Sequence, residues 1–337
     1  MNRVVIIILN WNGIVDTLEC LNSLQKQSYK NYSILIVDNG SSDNSKELLN
    51  KYQEKHSNNT DVIYNSKNFG FAGGVNIGIK WALNKNYDSI ALFNNDATVD
   101  KDWLLNLVKP MKNKDVGIST GLLLRKDGKT IDTTGDWYSK WGLAFPRNRN
   151  DRANKAPSGE EFVFGASGGA SLYRTEMVKE IGLFDDDFFA YYEDVDISFR
   201  AQLNGWKVKY IPTAIAYHEQ GATSNKISGF AIYQTFKNLP LLFIKNVPRG
   251  LLFSVGIRFL FAYKMMLINA IVKGNGKPAL KGFWASLKLS FKKINERNYI
   301  QKNKKVSVEY IKSILWPDLP PDQTGLRKLR SFFTGKK

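Results

Sequence analysis

Cysteine is almost missing from this chain. Cys20 is the only one in 337 residues, which excludes an intrachain disulfide framework and a cysteine-built zinc site. That suits a reducing compartment without establishing one, and Cys20 itself, inside a helical pattern, reads as a small core residue. A signal peptide is also not the reading. Met1-Asn2-Arg3 leads into the apolar run Val4–Leu9, but the run is short and breaks at Asn10-Trp11-Asn12-Gly13 without a small-residue cleavage site, as expected of a first buried strand. The glycine-rich tract Asn68–Asn76 lacks the order of a dinucleotide fingerprint, and zinc-finger spacing is absent. Acids are scarce at one end. From Leu241 to Lys337 only 4 Asp/Glu face 20 Lys/Arg, so nearly all of the formal charge of +17 lies there.

What is present is the composition of a globular protein, 43% apolar and 23% charged, long enough for one large core or two smaller ones. The first half alternates β-rich runs with helical patterns, which predicts an α/β domain with a mostly parallel sheet. Strands are expected at Val4–Leu9, Tyr32–Val37, Asp61–Tyr64, Ser89–Phe93, Val116–Leu124 and Trp206–Ile211, the last stopped by Pro212. Helices are expected at Asp16–Gln27, Ser45–His56, Gly70–Asn84, Asp102–Val108, Thr175–Ile181 and the second half of Phe184–Arg200. Gly128–Ala156, polar and arginine-rich with Trp137 and Trp141, reads as a long exposed excursion. The division drawn is a domain over 1–229 and a helical basic region over 230–337.

Three acid-bearing tracts carry the chemistry. Asn94-Asn95-Asp96 ends an apolar run, where an open α/β sheet binds ligands, and a hard oxygen ligand such as Asp96 suits Mg²⁺ or Mn²⁺ beside phosphates. A plain turn is the competing reading. Asp38 closes another strand and can face a nucleobase or ribose, or merely cap a turn with Asn39 and Ser41. Glu193, Asp194 and Asp196 form a dense cluster in which like charges raise a carboxyl's pKa and suit it to proton abstraction. An acidic first helical turn explains the same residues. His218, one of 2 histidines, follows a strand and can ligate a metal or contact phosphate, or be structural.

Beyond Phe230, Leu239–Ile244 and Leu251–Ile271 are apolar and aromatic but interrupted by Lys245, Arg249, Arg258 and Lys264. Cations at the centre of the second run make a bilayer span costly. Helices lying in an anionic membrane surface with snorkelling basic side chains fit better, and the stretch Ala285–Ile294 with Lys288, Lys292 and Lys293 repeats the theme. A soluble helical subdomain or a self-association (homo-oligomer) surface is the other reading. No nucleic-acid partner is expected.

Taken in order, several tracts resemble the family 2 glycosyltransferases, and within them the rhamnosyltransferase-like branch. These are Ile7–Asn12, Val37-Asp38-Asn39-Gly40-Ser41-Ser42-Asp43, Asn65–Asn76, Phe93–Ala97, Gly165–Ala170, Phe184-Asp185, Tyr192–Arg200 and His218, spread over roughly residues 3–225. The resemblance implies a GT-A fold and inverting transfer from a nucleotide sugar, with deoxythymidine-diphosphate rhamnose (dTDP-rhamnose) the leading donor and a uridine-diphosphate hexose or N-acetylhexosamine the alternative. A noncatalytic nucleotide- or glycan-binding scaffold is the alternative of another class. By the family pattern Leu9, Asn10, Asp38 and Asn39 border the base, and Asn68, Gly73 and Asn76 line the nucleotide side. Asn94 and Asp96 match the ends of the metal motif, with Asn94 standing where some members have an acid. His218 completes the metal site, Asp194 matches the catalytic base, and Glu193 and Arg200 support the acceptor side or the local helix. Trp137, Trp141 and Tyr191 are candidates for stacking on acceptor sugars. The implied cofactor is Mg²⁺ or Mn²⁺. The implied acceptor is a polysaccharide or lipid-linked glycan, met by a cytoplasmic enzyme on the inner face of the membrane.

Overall fold

The computed structural model describes residues 2–219, 227–321, 323 and 325–328. The chain begins with β1 (Val4–Asn10), α1 (Ile14–Leu24), β2 (Tyr32–Asp38), α2 (Ser45–Lys55), β3 (Thr60–Tyr64), α3 (Gly70–Asn84) and β4 (Ser89–Asn94). Then come β5 (Ala97–Val99), α4 (Trp103–Val108), β6 (Val116–Arg125), β7 (Ile131–Thr133), β8 (Asp136–Tyr138), β9 (Ala144–Pro146) and β10 (Glu161–Val163). The sheet-bearing part closes with β11 (Ala170–Arg174), α5 (Thr175–Ile181), α6 (Glu193–Leu203) and β12 (Lys207–His218). Among the described residues α7 (Phe230–Asn246), α8 (Leu252–Ala270), α9 (Gly276–Asn303) and α10 (Val308–Ile314) follow.

The main sheet runs β10-β12-β6-β11-β4-β1-β2-β3. β1, β2, β3 and β4 are mutually parallel, as are β6 and β12, while β11 inserts antiparallel between β4 and β6. Val4 to Ile8 are at most 1% exposed, because a central parallel strand is covered on both faces. Alternation sorts them. Val4, Ile6 and Ile8 pack with Cys20, Leu21, Leu49 and Trp103, whereas Val5 and Ile7 pack with Val75, Ile79, Met177 and Ile197. Each such side chain contributes roughly 1.5–3 kcal/mol of burial. The register sets Leu9 beside Asn94 and Asn10 beside Asp38, which brings four expected site residues to one carboxyl edge.

Two expectations need correction. The strand expected to stop before Pro212 continues to His218, because Pro212–Ala214 bulge out between the pairs Ile211–Gly121 and Ile215–Leu122. The bulge lies so close to Gly121 that an added Cβ there would sit 1.9 Å from the Ala214 carbonyl oxygen, so only glycine fits. Past it, His218 pairs with Ala97, next to Asp96. The supposed exposed excursion is instead largely packed: Ile131, Asp132, Thr134, Asp136, Tyr138 and Ser139 are all buried. Its short strands satisfy their backbone against β6 and against each other, which polarity of sequence concealed.

The C-terminal helices lie against this body. Pro240 inside α7 cannot donate to the Phe236 carbonyl, and Tyr263 Oη of α8 donates to it instead at 2.7 Å. Lys293, expected at a membrane-facing surface, is 0% exposed and bonds Asp185, Asp187 and Glu296 at 2.5, 2.8 and 2.9 Å. Lys245 bonds Asp185 and Asp196 at 2.7 and 3.0 Å. These two lysines therefore fasten α7 and α9 to the acidic segment before and within α6. The oxygens of Asp185, Asp187 and Glu296 converge closely enough for a cation, and the cation they hold is the Lys293 ammonium.

Candidate active site

At the carboxyl edge Asn10 and Asp38 engage each other. Asn10 Nδ2 donates to Asp38 Oδ2 at 2.7 Å, and Asp38 also accepts from the Ser41 amide and hydroxyl at 3.0 and 2.7 Å. Asn39 is buried and ties the loop after β2 to the start of α3. Its Nδ2 donates to Asn68 Oδ1 and the Gly70 carbonyl, and its Oδ1 accepts from Asn65 and the Phe69 amide. Gly73 lies in the first turn of α3, partly exposed. Its neighbour Gly74 touches Leu9, where a Cβ would come within 2.4 Å of a leucine methyl. Asn76 points to the other side of the site. Its amide donates to the Phe184 carbonyl and Asp186 Oδ1 and accepts from the Phe184 amide, so it holds the loop that precedes the acidic helix.

The edge of β4 meets the end of β12. Asp96 Oδ1 lies 3.1 Å from His218 Nε2, and Asn94 Nδ2 lies 3.2 Å from the same nitrogen. His218 Nδ1 donates to Asp132 Oδ2 at 2.7 Å. Burial alone would lower the imidazole pKa, but the hydrogen bonds to Asp132 and Asp96 outweigh it and push it up to about 9. Asp132 was not legible in the sequence, since it sits in the three-residue strand β7 within a tract that reads as loop. An imidazole backed by a carboxylate and facing a second one is the donor set of a metal-ligating histidine, so Asp96 and His218 fit Mg²⁺ or Mn²⁺ beside a diphosphate.

Asp194 stands at the first turn of α6, half-buried. Its Oδ2 accepts from the Gly168 amide at 3.1 Å and its Oδ1 from the Val195 amide at 2.8 Å. The next carbonyl along, that of Gly169, accepts from the Asn94 amide at 2.8 Å. Gly168-Gly169 thus spans from Asp194 to Asn94, and a side chain at either glycine would be tightly met. A Cβ on Gly169 would lie 3.0 Å from Asn94 Nδ2, and one on Gly168 3.1 Å from the Phe71 ring. Burial raises the Asp194 pKa against the pull of those amides. Glu193 beside it is pushed well up, by burial first and then by the Asp194 charge, and its buried Oε2 has no hydrogen-bond partner. Asp136, on β8, is 5% exposed and likewise raised by burial and by Asp194.

The segment leading into α6 is under backbone strain. Phe189, Tyr191 and Tyr192 all hold positive φ, of 62°, 69° and 70°. Asn238 of α7 is placed to hold it. Its Nδ2 faces the carbonyls of Phe188, Ala190 and Tyr191 at 3.0, 2.9 and 2.7 Å. Lys237 donates to the Asp187 and Phe188 carbonyls, and burial lowers its pKa to about 8 despite Asp187 and Glu193 nearby. These props come from the region expected to meet a membrane or a second copy, and no local pattern marks them. Arg200 is 5% exposed and bonds Asp196 and the carbonyls of Ile181, Gly182 and Leu183. These bonds tie α6 to the turn after α5. Trp137 packs beside Trp316 and Trp141 beside Phe261, both half-buried, while Tyr191 is 37% exposed near Phe230.

The likeness to known proteins agrees with this architecture. A curated relative, the low-salt glycan biosynthesis hexosyltransferase Agl10 of Haloferax volcanii, is 24% identical over 258 residues, 71% of this chain and 80% of its own. GalNAc-T7, solved with UDP, GalNAc and Mn²⁺, superposes with a TM-score of 0.57 at 18% identity, over 72% of this chain but only 47% of its own length. The mannosyltransferase PcManGT from Pyrobaculum calidifontis, solved with GDP-Man and Mn²⁺, gives a TM-score of 0.56 at 15% identity, over 93% and 87% of the two chains. At such identities the two structures establish the fold alone, a GT-A arrangement. Residues 5–182 match the model of glycosyl transferase family 2, more than half of the chain, and this protein belongs to that family.

Proposed function

We propose that the protein is an inverting transferase that moves a hexose or N-acetylhexosamine from a uridine-diphosphate donor to a hydroxyl of a glycan or lipid-linked glycan. The observation that carries this reading is the Gly168-Gly169 bridge, which sets the Asp194 carboxylate beside the Asn94–Asp96 and His218 edge. Asp194 takes the proton of the acceptor hydroxyl, whose oxygen attacks the anomeric carbon from the face opposite the departing diphosphate. Its raised pKa strengthens it as a base over an ordinary aspartate. Asp96 and His218 would hold the Mg²⁺ or Mn²⁺, which when bound stabilises the charge of the leaving diphosphate. Leu9, Asn10, Asp38, Asn39, Asn68 and Gly73 frame the nucleotide, and Asn76 positions the loop before the base. Tyr191, Glu193 and the edges of Trp137 and Trp141 face the acceptor.

A UDP-hexose or UDP-N-acetylhexosamine replaces dTDP-rhamnose as the leading donor because a curated relative is a hexosyltransferase and a structure of like fold holds UDP and GalNAc. Calorimetric binding of UDP, GDP and dTDP sugars, with and without Mn²⁺, tests it. Selective binding of a dTDP donor would reverse the assignment, and GDP selectivity would favour the mannosyl relative.

The protein works at an anionic membrane surface. Phe253, Leu260, Val272, Trp284 and Phe291 are 61–81% exposed on α8, α9 and the turn between them. Exposed Arg258, Lys264, Lys273, Lys281 and Lys288 stand among them, and no acid occurs from Leu251 to Asn295. The stretch Arg249–Asn303 holds an 18-residue window of mean hydropathy 1.8, one third of it buried. A broken, basic, one-sided helix pair suits interfacial docking on the cytoplasmic face. Within this reading 1–229 is the catalytic part and 230–337 both braces it and docks it. Sedimentation with vesicles containing anionic lipid tests the docking; equal binding to neutral vesicles would refute the charge argument.

A further inference from the structure

Arg149 lies in none of the roles above, yet its setting is that of a built anion site. The residues on either side of it, Asn148 and Asn150, hold positive φ of 57° and 71°. Both are locked in place. Thr134 Oγ1 donates to Asn148 Oδ1 at 2.8 Å, the Asn150 amide donates to the Ile131 carbonyl at 3.0 Å, and Asn150 Oδ1 accepts from Arg125. The turn is thereby fixed to β7 and lays Arg149 along Asp132, with Nη2 3.0 Å from Oδ1 and Nε 3.1 Å from the carbonyl oxygen. Asp132, 3% exposed, holds His218 with its other oxygen. The result is a row, Asp96–His218–Asp132–Arg149.

One edge of the guanidinium is used up in this row, and the rest is free. The side chain is 39% exposed, and Nη1 has no acceptor among the described residues. Its charge also reaches Asp136 and Asp194, opposing part of the rise that burial gives both. A cation needed only to neutralise Asp132 would be redundant beside His218. An oriented fork with open donors suits phosphate oxygens.

We propose that Arg149 binds the diphosphate of the donor and takes up the charge that develops as it leaves. In that step the acceptor oxygen bonds to the anomeric carbon and gives its proton to Asp194. The bond from that carbon to the phosphate oxygen breaks with its electron pair on the oxygen, toward which Arg149 donates. The inference rests on reading the Asp96–His218 edge as the diphosphate side.

Inorganic pyrophosphate with Mg²⁺, titrated calorimetrically, tests it without assuming a base or sugar. Arg149→Met should weaken binding by roughly 10- to 100-fold, the scale of a lost charge-assisted pair, and Arg149→Lys should recover part of it. With a competent donor, kcat should fall while the acceptor KM stays constant, and millimolar guanidinium should restore part of the turnover of Arg149→Ala, which a purely structural loss would not allow. Asp96→Asn is the reference. If it weakens pyrophosphate binding and Arg149→Met does not, the Arg149 assignment fails and the site reading stands. If neither change matters, the diphosphate edge itself is misplaced. A rise confined to the acceptor KM would also overturn the proposal.

Discussion

Replacing Lys293 with Met should destabilise the protein far more than the same change at its neighbour. Lys293 is fully buried and holds three carboxylates, so its loss leaves Asp185, Asp187 and Glu296 facing one another. Breaking a buried ion pair by removing one partner costs about 3–5 kcal/mol. Lys245 still reaches Asp185 at 2.7 Å and Lys292 still reaches Asp187 at 2.7 Å, which places the expected loss near the lower end, about 3 kcal/mol. Lys292 is 61% exposed, and Lys292→Met should cost about 0–1 kcal/mol. The assay is urea unfolding followed by circular dichroism at neutral pH and again in acid. Burial favours the neutral form of Asp185, but Lys245 and Lys293 outweigh it and hold the carboxyl below its ordinary range; Asp187 is lowered in the same way by Lys292 and Lys293. Carboxyls depressed by folding add stability above an unfolded value of about 4 and lose it as pH falls toward the folded one. The gap between wild type and Lys293→Met should therefore narrow below about pH 4. Equal losses for the two lysine variants at neutral pH, or a gap that does not change with acid, would refute the reasoning.

Asp194→Asn should abolish transfer, by at least about a hundredfold, while leaving donor affinity within a few-fold of wild type; retained turnover removes it as the base. Because burial raises the Asp194 pKa, activity should fall with acid through a value above 4, the usual aspartate range, and a limb at or below that value would contradict the buried setting. Asn238→Ala should lower kcat more than it lowers stability, since it frees the strained Phe188–Tyr191 carbonyls without touching substrate; an unchanged kcat would show that the loop holds itself. Phe253→Asp with Phe291→Asp should abolish vesicle binding yet spare transfer to a soluble acceptor, as both rings are about 80% exposed.

Much of the sheet-bearing part was legible because its signals are local. Runs such as Val4–Leu9 and Ser89–Phe93 carry the sheet, and acids at their ends mark its edge. Asp96, His218 and Asp194 stand out in the sequence as candidates, though only the bulge at Pro212 explains how His218 arrives beside Asp96. What stayed hidden was long-range. Asp132 and Arg149 sit in short strands and turns whose order comes from tertiary hydrogen bonds rather than hydrophobic period. Lys245 and Lys293 look like surface cations because a lysine's sequence neighbours do not reveal whether carboxylates from 49 to 108 positions away will enclose it.

The props under the loop at Phe189–Tyr192 also order events during synthesis. Asp194 emerges from the ribosome well before Asn238, Lys245 and Lys293, the residues that pin its loop. A nascent chain with its sheet complete thus still lacks the clamps that hold the loop before Asp194. That loop reaches its final form only once the C-terminal helices have been made, so the last part of the chain to appear shapes the centre of the first.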